Sequence, residues 1–411
     1  MKMKQKVHLW LFWSAFVLYL ASTTLQFTMV TELGWVSRVL ALARYLSFAL
    51  AGVKILWDFA LLCQGEGGRW ALTSQALGCA IKYVLMGGVV LLVVWTSGDT
   101  MPLFVLALLL ASKGVELNRI FTTALPIQVG LFVLVLLLAT AGIIQDLLFF
   151  RDAQTVRHGL GFTYPTVVMT YFFFALVAAF WGREKGISIQ TGGWLLAVNY
   201  LLFCLTDARN GFLLSTVMIV VEVVLGYRTH WERWANGMRQ KTWVKGVCRV
   251  VRHVYDYCAV YLSALLAVLC VTYPGGLGGL VNNLLSNRVG LTVKAASNYG
   301  IHWLGNSIQW IGYGGLTEWE SIEKSYNFVD CSYALTLFNY GVILSALVLV
   351  LLVLLGKRLR RAGNWNHCFL YASVLICSFI EPRLLEIHLN LILFAAAPML
   401  YSTPKLLGGK R

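Results

Sequence analysis

The chain has 411 residues, of which 59% are hydrophobic and 12% are charged, with 33 Lys and Arg against 18 Asp and Glu. This composition excludes an ordinary soluble protein, and its repeated apolar runs of about 20 residues predict helices that cross a bilayer. In such a protein an excess of basic residues is a topology signal, so the net charge of +15 does not indicate a nucleic-acid partner.

The pattern predicts an all-α, polytopic protein with one integral membrane domain over residues 1–411. The apolar runs predict twelve transmembrane helices, at about 9–30, 38–62, 76–96, 101–117, 127–146, 163–182, 191–206, 211–227, 255–274, 331–356, 366–380 and 385–403.

Charge predicts the orientation of these helices. If the N-terminus is inside, most lysines and arginines fall in inner connections, which places both termini in the cytoplasm. Residues 228–253 then form a basic cytoplasmic loop, and residues 275–330 form one long extracytoplasmic loop. Within the long loop, apolar spacing from Val289 to Trp303 predicts an amphipathic helix at the membrane surface.

The cysteines and the common catalytic motifs limit the chemistry. Most of the nine cysteines lie in apolar runs without a CxxC pair, which favours small core residues over disulfides or metal ligands. The sequence has no Walker, GxGxxG, HExxH, GxSxG or DxD-type motif. Any reaction is therefore expected to need no ATP, no metal and no other cofactor, and a donor that carries its own leaving group fits this requirement.

Two short outer segments are candidates for binding an anion. RHGLGFTYP places Arg157 and His158 before a helix N-terminus, where a phosphate or lipid headgroups are alternative partners. TDARNGF places Asp207 and Arg209 close to the membrane plane, either as a structural ion pair or with Arg209 facing a cavity. The turn EPRLLE adds Glu381 and Arg383 on the same side.

The long loop contributes three more candidates. Arg288 begins the predicted surface helix and His302 lies near its end, as a packed interfacial residue or as a catalyst. Asp330 precedes the tenth predicted helix, where it is either an N-cap or a general base for a substrate hydroxyl.

Four segments, in this order, resemble the Wzy-type capsular and exopolysaccharide polymerases, within the O-antigen ligase and polymerase superfamily. The similarity covers about residues 9–400 and rests on residues 157–165, on 207–210, on Arg288 with Leu304 and Gly305, and on 330–333 with Gly341. Three positions depart from the family pattern: Tyr164 stands where His is common, Thr166 where Asn is usual, and Cys331 where Asn is frequent.

The resemblance implies a GT-C-like architecture in the bacterial cell membrane and a metal-independent glycosyltransferase. Such an enzyme moves a growing glycan from undecaprenyl diphosphate onto another lipid-linked oligosaccharide repeat unit. It also implies membrane lipid, a chain-length regulator and other polysaccharide assembly proteins as partners.

The resemblance assigns roles to the candidate residues. Arg157, Arg209 and Arg288 would bind the diphosphate and stabilise its charge, and Asp330 or His302 would activate the acceptor hydroxyl. The remaining residues expected to bind substrate are His158, Asp207, Tyr333, Glu381 and Arg383.

Two alternatives remain open at this point. A ligase of the same superfamily would transfer finished glycan to a different acceptor, which the sequence does not distinguish. A flippase or other transporter would place ionisable residues inside the membrane, as Lys54 and Lys82 allow, but would also show internal repeats, which this sequence lacks.

Overall fold

The computed structural model describes residues 2–63, 74–150, 155–183, 185–227, 242–312 and 326–401. These residues form α-helices joined by short connections, which confirms the predicted all-α membrane fold apart from one small hairpin. The helices are α1 Lys2–Gln26, α2 Val36–Cys63, α3 Ser74–Ser97, α4 Met101–Ala111, α5 Leu117–Thr140, α6 Pro165–Trp181, α7 Ile189–Thr206, α8 Arg209–Gly226, α9 Thr242–Asp256, α10 Cys258–Thr272, α11 Gly276–Leu284, α12 Arg288–Tyr299, α13 Ser332–Ala362, α14 Trp365–Ile380 and α15 Ala397–Tyr401. The hairpin pairs β1 Leu148–Phe150 with β2 Val156–His158, and Phe149 lies opposite Arg157.

The twelve predicted membrane-crossing helices are not all confirmed in the described part of the chain. Within the described residues, seven helices are long and apolar enough to cross a membrane, or eight if the bent pair α9 and α10 forms one span. Four further apolar segments are shorter, including α4 with 11 residues and α6 with 17 residues. The protein is therefore a multi-pass membrane protein.

The predicted twelfth helix, at about 385–403, is wrong. The chain from Glu381 to Asn390 is irregular, and a 3-10 helix at Leu391–Ala396 leads into the short helix α15. Its apolar residues are buried inside the protein, and Gln128 donates a hydrogen bond of 2.7 Å to the carbonyl of His388. Irregular backbone is tolerated at this depth because protein, and not lipid, surrounds it.

Two predicted loops contain helices. The predicted basic loop 228–253 contains the first part of α9. Residues 228–241 of this loop and residues 313–325 of the long loop lie outside the described residues. The surface helix predicted at Val289–Trp303 is α12, which ends earlier because Gly300 adopts a positive φ of 68°.

Polar contacts collect at two ends of the bundle. At one end the backbone N–H of Met29 donates to Gly161, and the hydroxyl of Thr96 donates to Leu304. At the other end Lys54 pairs with Asp58 and donates to the carbonyl of Lys113 at 3.1 Å. Each end joins connections that the charge pattern assigned to the same side of the membrane.

Helix α13 is broken at Gly341, where the long loop crosses it. Gly341 has φ 79° and ψ 179°, outside the helical region. The N–H groups of Val342 and Ile343, which begin the second half of the helix, donate to the carbonyls of His302 and Trp303 at 3.0 and 3.1 Å. The loop therefore supplies the hydrogen bonds that a new helix N-terminus lacks.

Gly305→Ala is expected to destabilise the protein by about 1–3 kcal/mol, because the added methyl overpacks this crossing. An ideal Cβ at Gly305 would lie 2.1 Å from the carbonyl oxygen of Asn339. Gly300→Ala is the matched control, since Gly300 also has a positive φ but its Cβ would lie 3.7 Å from the nearest atom. Thermal unfolding in detergent measures both variants, and equal melting temperatures would contradict a tight crossing.

Candidate functional site

A cavity of about 490 Å³ lies at one end of the bundle. Its walls come from the end of α1, the turn between α3 and α4, the turn into α6, the long loop, the first half of α13 and the turn after α14. The lining residues are Phe27, Asp99, Met101, Thr163, Tyr164, Thr166, Val167, Trp310, Ile311, Gly312, Tyr326, Phe328, Asp330, Ser332, Leu335, Thr336, Asn339, Tyr340, Glu381, Pro382, Arg383, Leu384, Leu385 and Glu386.

Helix α13 forms one wall with a single face. Five of its residues line the cavity at the spacing i, i+3, i+4, i+7 and i+8, which is one stripe of a helix; they are Ser332, Leu335, Thr336, Asn339 and Tyr340. The long loop is fixed against this wall because the indole N–H of Trp310 donates to Asn339 Oδ1 at 2.6 Å. The broken helix thus positions both the wall and the loop that covers it.

Arg288 joins two carboxylates of the cavity. Its Nε lies 3.4 Å from Asp330 Oδ2, and its Nη2 lies 3.2 Å from Glu381 Oε1. The side chain of Arg288 is 9% exposed and that of Asp330 is 27% exposed. Arg288 therefore lies behind the wall and holds the two carboxylates, while Asp330 faces the cavity.

Burial controls the protonation of this carboxylate pair. It raises the pKa of Glu381 to about 7, against the opposing charge of Arg288 and with a further increase from Asp330. Burial also raises the pKa of Asp330, and Arg288 again opposes the shift. Burial therefore favours the protonated form of each carboxyl, while Arg288 favours the ionised form that a general base needs.

Arg383 brings a positive charge to the cavity wall. It pairs with Glu386, and its guanidinium carbon lies 4.5 Å from the ring centroid of Phe27. Ser332 holds the backbone of this turn, since its hydroxyl donates to the carbonyl of Glu381 and accepts from the N–H of Leu384 at 3.1 Å. Arg383 is thus fixed by contacts on several sides, with its charge paired to Glu386 at the cavity wall.

Arg157 contacts Tyr164, which lines the cavity. Its Nε donates to the carbonyl of Thr206 at 2.9 Å, and its Nη1 donates to the hydroxyl of Tyr164 at 3.1 Å. Arg157 is buried and does not line the cavity, whereas Tyr164 does. Its neighbour His158 pairs with Asp146 at 2.7 Å, and this pair supports the turn into α6.

The remaining predicted residues lie outside the cavity lining. Arg209 is exposed and its Nε lies 3.4 Å from Asp207, which ends α7 in the left-handed region with φ 41°. His302 is exposed and bonds the carbonyl of Tyr299 at 2.9 Å. Tyr333 is buried and donates to the carbonyl of Leu375 at 3.0 Å. Asp330, Glu381 and Arg383 are therefore the predicted residues that line the cavity.

Several residues that line the cavity are not among the predicted residues. Asp99, in the short turn SGDTM, accepts a hydrogen bond of 2.6 Å from the hydroxyl of Tyr340. Glu386 falls within the predicted helix at about 385–403, so hydropathy does not indicate it as a site residue. Tyr326 and Phe328 lie in the long loop and line the cavity. Aromatic side chains within a polar segment are the sequence feature that could have indicated them as binding residues.

Comparisons with protein-family models, with curated proteins and with solved structures find no significant match for this chain. The described residues also contain no cluster of three or more His, Cys, Asp or Glu side chains suited to holding a metal ion. The function is therefore argued from the chemistry of the cavity.

Proposed function

We propose that this protein is a polysaccharide polymerase. It transfers a growing glycan from its undecaprenyl-diphosphate carrier onto another lipid-linked oligosaccharide repeat unit at the outer face of the membrane. The observation that supports the proposal best is the cavity, in which carboxylates, aromatic rings and one arginine meet at a single end of a membrane bundle.

The lining suits a sugar acceptor. Aromatic rings offer flat apolar surfaces to the faces of sugar rings, and carboxylates and hydroxyls accept or donate hydrogen bonds at their edges. Trp310 and Tyr164 supply rings, and Asp99 supplies a carboxylate. The irregular buried turn after α14 lets charged groups lie deep in the bundle without contacting lipid.

The reaction needs a base and a stabilised leaving group. The acceptor hydroxyl oxygen attacks the anomeric carbon of the donor sugar, and its proton passes to Asp330. The bond from the anomeric carbon to the diphosphate oxygen breaks, and both bonding electrons leave with undecaprenyl diphosphate. Arg383 stabilises the developing negative charge, and Arg288 keeps Asp330 and Glu381 in position.

The proposal is tested by incubating the purified protein in detergent with a lipid-linked repeat unit, without nucleotide and with a chelator. We expect glycan polymers of increasing length and release of undecaprenyl diphosphate. Heat-denatured protein is the control. Unchanged lipid-linked repeat unit after incubation with folded protein would contradict the proposal.

The same assay separates the alternatives. A ligase would consume the donor only when a different acceptor is added, so polymer from the repeat unit alone excludes it. A transporter would leave the substrate chemically unchanged in detergent. Buried Lys54 lies at the opposite end of the bundle from the cavity, paired with Asp58, which favours a structural role for this residue.

A further inference from the structure

A second cavity, of about 830 Å³, lies at the other end of α13. One wall is α9, and the other is the turn between α13 and α14, with Arg360, Gly363 and Trp365. The first cavity uses Ser332 to Tyr340 of the same helix, so residues 341–359 of α13 separate the two cavities.

Helix α9 has two chemically different faces. Val247, Val250, Val251 and Val254 follow the spacing i, i+3, i+4 and i+7 and are all exposed, at 48–63%. The helix bends by 74° from α10, so it does not continue the direction of that apolar helix. An amphipathic helix with an exposed valine face and a basic face is typical of a helix that lies in the membrane interface.

An ion pair fixes the end of α9 to the bundle. Arg360 binds Asp256 through two hydrogen bonds, of 2.7 and 2.8 Å, which satisfies the charge of both. Arg249 and Arg252 are exposed, and neither has an ion-pair partner among the described residues. The net positive charge of the cavity wall therefore comes from Arg249 and Arg252.

The second cavity combines these arginines with apolar surface. Val247 and Val251 line it together with Arg249 and Arg252, and Tyr255 and Trp365 add aromatic surface. A free phosphate ion would contact the arginines but leave the valines exposed to water. An amphiphile with an anionic head and apolar chains satisfies both parts.

We propose that the second cavity binds an anionic phospholipid. Its phosphate lies between Arg249 and Arg252, and its acyl chains lie against Val247 and Val251, the two valines of α9 that line the cavity. The bound lipid covers the parts of these valine side chains that are exposed in the described structure.

The test measures lipid retained by the purified full chain. The protein in detergent is mixed with equal amounts of phosphatidylglycerol and phosphatidylcholine, and bound lipid is counted by native mass spectrometry. We expect wild type to retain phosphatidylglycerol preferentially, and R249Q/R252Q to lower this preference by about 30-fold, or by about fivefold for each single variant.

Matched variants control for charge and folding. R249K/R252K keeps the charge and should keep the preference, and R358Q removes an exposed arginine that lies at the same end but outside the cavity lining. Unchanged preference in R249Q and R252Q, or an equal loss in R358Q, would overturn the proposal. Displacement of the lipid by millimolar inorganic phosphate would instead identify a simple anion site and would also overturn it.

Discussion

Replacing Arg383 with glutamine is expected to lower the rate of glycan transfer by about 10²- to 10³-fold. This is the loss typical of removing one group that stabilises developing negative charge in a buried site. Among the described residues, Arg383 is the cationic side chain that lines the cavity, and glutamine keeps a hydrogen-bond donor there without the charge. The initial rate of polymer formation from a purified lipid-linked repeat unit measures the effect.

Arg209→Gln is the matched comparison for this prediction. Its side chain is 66% exposed and lies outside the cavity lining, so we expect a rate within about twofold of wild type. Loss of transfer in this variant, with transfer retained in Arg383→Gln, would indicate that the diphosphate binds at the turn between α7 and α8 and not in the cavity. Melting temperatures of both variants show whether a lost rate reflects a lost fold.

The sequence predicted helices well where apolar runs face lipid. Helices α2 and α7 begin and end within two residues of their predicted bounds, because hydrophobic length alone determines such helices. The segment after Glu381 has a similar apolar content but packs inside the protein as irregular chain. Hydropathy does not distinguish these cases, since protein interior and lipid are equally apolar.

Three of the residues predicted on one side of the membrane do line a single cavity. Asp330, Glu381 and Arg383 were predicted on one side because successive spans alternate, and connections on one side meet at one end of a bundle. The direction in which a side chain points is not predicted in the same way. Arg288 points to two carboxylates and away from the cavity, and nothing in the local sequence determines that choice.

Contacts between distant segments account for the residues that were missed. The hydroxyl of Tyr340 bonds Asp99 across 241 positions of the chain. Likewise, Gly341 matters because the loop at Gly305 crosses α13 there, and a glycine within an apolar helix gives no sign of such a crossing.

The rate of transfer is expected to rise with pH, with an apparent pKa near 7. Burial raises the pKa of Glu381 to about 7, so the Asp330–Glu381 pair holds an extra proton below this pH and loses it above. The deprotonated pair is the stronger base for the acceptor hydroxyl, which gives the rate its rising limb. A pH–rate profile of the detergent-solubilised protein measures this pKa.

Substitutions of the two carboxylates are expected to change the pH–rate profile differently. Asp330→Asn removes the group that accepts the proton, and we expect a loss of about 10²- to 10⁴-fold at every pH. Glu381→Gln should instead move the limb to lower pH, because Asp330 then has the charge of Arg288 beside it and no competing carboxylate.

Two further variants decide whether the pair acts as the base. Arg288→Gln should move the limb to higher pH, because the positive charge that favours ionised carboxylates is gone. Glu32→Gln, an exposed carboxylate at the same end of the bundle, should leave the profile unchanged. If Glu381→Gln abolished transfer while Asp330→Asn retained it, Glu381 would be the base and Asp330 its partner, since Arg288 contacts both carboxylates at similar distances.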